Sequence, residues 1–187
     1  MNFKFSNKSK ILIISPHPDD EVIGCGGVIA KAKANKSKLN VLYVTTGSTR
    51  QFVTKSTDHS TRIKEIEKVS SYGAFKYSIL FKDKFFVKLD TVPQKVLIDL
   101  FEDHIQKIKP DIIFIPFSKS YNQDHRAVYT AAITALRPLP TNIRHHVNYI
   151  IEYEEPYTWS VDSIFSPNLY LNTSNFEKDK IKLMIIS

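Results

Sequence analysis

The chain has 187 residues, of which 42% are hydrophobic and 12% aromatic; this suits one domain with one core and is too apolar for a disordered tail. Its single cysteine excludes an internal disulfide and a four-cysteine zinc ribbon, and no apolar run approaches the roughly 20 residues of a membrane helix. The net charge of +7 comes mostly from lysines spread along the chain, which reads as a solvated surface and not as a nucleic-acid footprint.

Strands and helices alternate. Residues 10–15 (KILIIS) form a short apolar run, the pattern of a buried strand. A helix is expected from about 20 to 35, with Lys31 and Lys33 near its C-terminal end, where the helix dipole favours cations. Residues 39–46 read as a second strand. A helix over 58–72 follows, with Ile63, Ile66 and Val69 on one face and Gly73 as its C′ stop. Residues 77–81 give a third strand.

The clearest helix spans 92–109, with Leu97, Leu100, Phe101, His104, Ile105 and Ile108 in one stripe and Pro110 closing it. Residues 111–115 are a fourth strand, 126–136 an Ala-rich helix, and 147–153 a fifth strand. The chain is then irregular up to 168–172. Ser174 and Glu177 have the spacing of a capping box opening a last helix. The whole chain, 1–187, reads as one domain, a doubly wound, mostly parallel Rossmann-like sheet with helices on both faces. The abrupt end at Ser187 gives the expectation that the natural protein continues. With no secretory signal before Pro16, the expected compartment is the cytoplasm.

Such folds carry their sites in the loops after the strands. The loop after the first strand reads Ser15-Pro-His-Pro-Asp-Asp-Glu21 and delivers an imidazole and adjacent carboxylates to a helix start. An acidic N-cap is the plain alternative, but a cap needs one such residue, not three beside a histidine. The loop after the fourth strand ends in Asn122-Gln-Asp-His-Arg126. If the first and fourth strands are neighbours, His17, Asp20 and His125 form a two-His, one-carboxylate set. Three protein ligands with an open position are what hydrolytic zinc sites require.

The run Pro16-His17-Pro18-Asp19-Asp20-Glu21, followed by Gly24-Cys25-Gly26-Gly27, resembles the signature of the LmbE-like (PIG-L) metal-dependent deacetylases. The resemblance extends to the Asp-His pair, to Arg137-Pro138, and to the stretch 154–168. It implies an enzyme that removes the N-acetyl group from an amino sugar or its conjugate, hence a small-molecule partner; no nucleic acid and no membrane span are expected, from the dispersed charge and the short apolar runs. It implies Zn2+, or another divalent metal such as Fe2+, on His17, Asp20 and His125, with Asp19 as the general base. The commoner family pattern has a histidine three residues before the last ligand, and here that position is Asn122. An amide there can donate to an oxyanion but cannot carry a proton. Asp124 is expected to orient a ligand or to cap its helix.

Arg50, Arg126, Arg137 and Trp159 are the candidate substrate contacts, each with a structural alternative: a solvated loop arginine, ion pairs and packed core. Glu21 is assigned to helix-terminus structure, Cys25 to the core, His104 to the core edge and His59 to a solvent-facing helix start. The competing function is a non-catalytic sugar- or nucleotide-binding protein of the same fold. Oligomeric state is left open.

Overall fold

A computed structural model describes residues 5–47, 50–51, 55–56, 59–155 and 165–187, with only the backbone described at 50–51 and 55–56. In chain order the elements are β1 (Lys10–Ser15), α1 (Asp20–Ala34), β2 (Lys38–Tyr43), β3 (Arg50–Gln51), β4 (Lys55–Ser56), α2 (His59–Gly73), β5 (Lys76–Ile79), α3 (Gln94–Ile108), β6 (Ile112–Pro116), α4 (Gln123–Ala135), β7 (Tyr149–Tyr153) and α5 (Glu177–Ile186).

Five strands make one sheet in the order β5-β2-β1-β6-β7, every pair parallel. β3 and β4 form a separate small antiparallel hairpin that the sequence pattern did not suggest. β1 lies at the centre, flanked by β2 and β6, so the chain reverses its direction of travel across the sheet there. That is the place where doubly wound folds open a crevice at the carboxyl ends of their strands.

Alternation along the central strands builds two cores. Ile11 and Ile13, Leu39 and Val41, and Ile112 and Phe114 face α1, α2 and α5. Leu12 and Ile14, Leu42 and Val44, and Ile113 and Ile115 face α3 and α4. Because both faces are covered, these strands read as continuous apolar runs.

Several expected boundaries move, for local reasons. β2 ends at Tyr43, earlier than expected; the Val44 and Thr45 N–H groups still reach the Ser15 and Pro16 carbonyls, and at Thr46 the N–H turns to the carbonyl of Lys82. The third strand, β5, begins and ends earlier than expected. α4 begins at Gln123, three residues early, because Asn122 caps it. Gly73 is the last helical residue of α2, and the left-handed stop is Ala74, at φ 54°. The capping box at Ser174 is not made. Ser174 enters a short 3-10 turn and its N–H donates to Asn172 Oδ1 at 3.0 Å.

Gly24 has a specific task. It lies inside α1, where Tyr153 of β7 packs against it. A Cβ there would meet Tyr153 Cδ2, and would stand 2.9 Å from Cε2 and 3.0 Å from the Glu154 carbonyl. The tyrosine has nowhere to go, since it is buried and its hydroxyl donates to the Ile14 carbonyl at 3.1 Å. Helix propensity alone favours Ala over Gly by about 1 kcal/mol. Gly24→Ala is nonetheless expected to destabilise the fold by about 1–3 kcal/mol, the usual cost of overpacking. Urea unfolding reads both sign and size.

Candidate functional site

β1 ends at Ser15, and a bend at residues 16–17 followed by a turn at 18–19, with prolines at 16 and 18 fixing their own φ, leads into α1 at Asp20. Asp20 folds back on this loop: its Oδ2 accepts the His17 backbone N–H at 2.9 Å. Asp19 takes the N-cap position but makes no side-chain cap, and its φ of 105° is a region that side chains rarely occupy. Glu21 fixes that strained residue. Its Oε2 accepts the Asp19 N–H at 3.1 Å and its Oε1 accepts the Tyr43 hydroxyl at 2.8 Å.

The second loop arrives from β6. Asn122 Oδ1 accepts the Asp124 N–H at 2.9 Å, which starts α4 and puts Asp124 and His125 in its first turn. Because β1 and β6 are direct neighbours, the two loops meet. His17 Nδ1 lies 3.3 Å from Asp20 Oδ2, His125 Nε2 lies 3.2 Å from the same oxygen, and the two ring nitrogens are 3.3 Å apart. His17, Asp20 and His125 are the only group of three or more such residues with metal-holding geometry among the described residues. Donors about 2.0–2.1 Å from a tetrahedral cation stand about 3.3–3.4 Å apart, so this triangle has the dimensions of one tetrahedral face.

The electrostatics agree with that fit. Burial lowers the affinity of both rings for protons, yet carboxylates more than reverse it. The His17 pKa is raised by hydrogen bonds to Asp124 and Asp20. That of His125 rises to about 10, through the charge and hydrogen bond of Asp20 and then through Glu155. Asp20 is held well below the ordinary range because, against the burial, His125 and His17 favour its ionised form. Two imidazoles enclosed by Asp20, Asp124 and Glu155 form a cluster that demands positive charge, as a divalent cation supplies. Asp19 beside it is pushed up to about 7, by burial and then by the charge of Asp20. Burial also drives Glu21 up to about 8.

Asp124 is fully buried, with one oxygen 2.9 Å from His17 Nε2 and the other accepting the Leu89 N–H at 2.8 Å. It therefore holds the back of the His17 ring. Asn122 uses its carbonyl oxygen as a cap, which fixes the amide orientation and leaves the NH2 group as its donor. Arg126 staples its own loop, with Nη1 donating to the carbonyls of Ser120 at 2.7 Å and Tyr121 at 2.6 Å. Arg137 is not brought to the site. It lies beyond the far end of α4, whose span from His125 to Ala135 alone is about 15 Å, and pairs with Glu102 at 2.6 Å. The backbone of Arg50 lies in β3, while its side chain and all of Trp159 fall outside the described residues.

Sequence reasoning missed three neighbours. Glu155, just past β7, lies 2.6 Å from His125 Nδ1. The ring of Phe86 packs on that of His17 with centroids 4.7 Å apart. Arg62 of α2 places Nη2 3.9 Å from Asp19 Oδ2 and bonds Glu65 at 3.1 Å; an Arg and a Glu three apart on one helix turn was the available signal. His59, expected to face solvent, is half-buried, with its Nδ1 2.7 Å from Thr46 Oγ1. Cys25 is buried and its thiol pKa is raised by that burial, so it is a core residue.

A doubly wound α/β domain with a two-His, one-carboxylate crevice at its strand reversal is thus the class defined by fold and site. The profile of the PIG-L family, described as GlcNAc-PI de-N-acetylase, matches residues 12–136, and the chain belongs to this family. Solved structures share the fold. The conserved protein TT1542 of Thermus thermophilus is 24% identical, with a TM-score of 0.73 over 95% of this chain and 78% of that one. N,N′-diacetylchitobiose deacetylase of Pyrococcus horikoshii is 24% identical, with a TM-score of 0.71 over 95% and 69%. GalB, the 4-carboxy-2-hydroxymuconate hydratase of Pseudomonas putida, is 16% identical, with a TM-score of 0.74 over 95% and 78%. A search of curated proteins finds no match.

Strain at Asp19 gives a prediction about the fold alone. Asp19→Gly relieves it and Asp19→Ala does not, so the glycine variant is expected to be the more stable by about 1 kcal/mol, after allowing for glycine's greater unfolded-state entropy. Thermal unfolding of the two variants checks this.

Proposed function

We propose that the chain is a metal-dependent N-deacetylase acting on an amino sugar or amino-sugar conjugate. Membership of the PIG-L family and the activity named for the Pyrococcus neighbour support the reaction class. The shared fold does not decide it, since a hydratase has that fold too. The observation that carries the reading is the donor triangle of His17, Asp20 and His125 with a strained, ionisable Asp19 beside it.

A divalent cation on those three residues, zinc or another such as Fe2+, supplies Lewis acidity to a water and to the amide carbonyl. The rest is done by side chains. Asp19 accepts the proton of the attacking water as its oxygen bonds to the acetyl carbon. Asn122 donates its amide N–H to the carbonyl oxygen as negative charge develops there. Asp19 then passes the proton to the departing nitrogen as the carbon–nitrogen bond breaks, leaving acetate and a free amine. Asp124 keeps the His17 ring in place. The cytoplasm is the proposed compartment; no described helix is long and apolar enough to cross a membrane.

Asp19→Ala is expected to keep its metal and lose turnover by about 10²–10⁴-fold. His17→Ala and His125→Ala should lose both. Elemental analysis with acetate release from a panel of N-acetylated sugars measures this, and an Asp19→Ala variant as active as the parent contradicts the mechanism. A second test separates the two tasks of Asn122. Asp is an equally good N-cap, so Asn122→Asp should keep the parent's melting temperature. It lacks the donor, so kcat should fall by about 10²–10³-fold, as when an oxyanion donor is lost.

A further inference from the structure

The loop after β6 and the end of β7 meet behind His125. Nε2 of that ring faces Asp20 and His17, while Nδ1, on its other edge, lies 2.6 Å from Oε1 of Glu155. Glu155 is 6% exposed. Its second oxygen, Oε2, accepts the Ser120 hydroxyl at 2.6 Å, and Ser120 Oγ accepts the Asn122 N–H at 3.2 Å. Oε2 is therefore hydrogen-bonded to the loop that caps α4, while Oε1 and the ring Nδ1 are in close contact, buried and without any other hydrogen-bond partner.

The backbone bearing Glu155 is fixed as well. β7 pairs with β6 as far as Pro116 and Tyr153, and Tyr153 is pinned between Gly24 and the Ile14 carbonyl. A carboxylate this buried is costly unless both oxygens are partnered. Here the group that faces the otherwise unpartnered Oε1 is a ring whose opposite nitrogen belongs to the donor triangle.

We infer that Glu155 is a positioning residue for the cation site: it holds His125 with Nδ1 protonated and the Nε2 lone pair aimed between His17 and Asp20, and Ser120 holds Glu155 in that pose. This rests on the proposed reading of the triangle as a metal site. Removing such a carboxylate partner of a ligating histidine costs about 10–100-fold in metal affinity. A purely structural Glu155 would change unfolding alone and leave affinity and ligand field untouched.

The test uses the whole chain, titrated with Co2+ and with Zn2+ in competition with a chelator, together with the visible absorption of the Co2+-loaded protein. The parent should take up one Co2+ per chain. Glu155→Leu should bind about 10–100-fold more loosely with a shifted absorption band. Glu155→Gln, which keeps an acceptor and loses the charge, should fall between that variant and the parent. Ser120→Ala, which removes one hydrogen bond from Glu155, should lose about 2–10-fold; it carries the test if the leucine variant fails to fold. Variants with the parent's affinity and spectrum overturn the inference alone. A folded parent that takes up neither metal overturns the metal-site reading, and this inference with it.

Discussion

One carboxylate oxygen, Asp20 Oδ2, organises the functional end of the molecule. It lies within 3.3 Å of two imidazole nitrogens and accepts a backbone N–H from the same loop. The two imidazoles are 108 residues apart in the chain and meet because β1 and β6 run side by side in parallel. Taking an ionised carboxylate and two rings out of water costs several kcal/mol unless each is partnered. The fold answers with a carboxylate behind each ring, Asp124 for His17 and Glu155 for His125. The result is a preformed triangle with an excess of negative charge around it, which is the condition for holding a divalent cation.

Rigidity around the triangle comes from elements that have no chemistry of their own. Gly24 lets Tyr153 settle on α1, which fixes the end of β7 and so Glu155. The Leu89 N–H anchors Asp124, and Phe86, from the loop preceding Leu89, packs on His17. Glu21 and Tyr43 hold Asp19 in a backbone conformation that an L-residue resists. Strain kept at a candidate catalytic residue and compensated by buried hydrogen bonds is the usual arrangement at functional sites.

Much of this was legible in the sequence because it is local. The apolar runs of β1 and β6 and the stripe of α3 each report burial through spacing along a few residues. The His17-Pro-Asp-Asp20 run and the Asp124-His125 pair announce themselves as chemistry at helix starts. What the sequence could not show depends on pairing across the sheet. Glu155 looks like one more acidic residue until the β6–β7 register sets it beside Ser120 and His125. Arg137, adjacent in sequence to a familiar Pro, serves an ion pair with Glu102 at the far end of α4. Asn122 is the cap that draws the start of α4 three residues forward, a side-chain-to-backbone bond that spacing along the chain does not disclose.

The most direct test of the central claim is the position of a bound cation. Crystals soaked in Zn2+ and measured at its absorption edge should show one strong anomalous peak per chain, about 2.0–2.2 Å from His17 Nδ1, Asp20 Oδ2 and His125 Nε2. A peak coordinated by other residues, or an empty triangle in crystals that hold zinc elsewhere, would contradict the account.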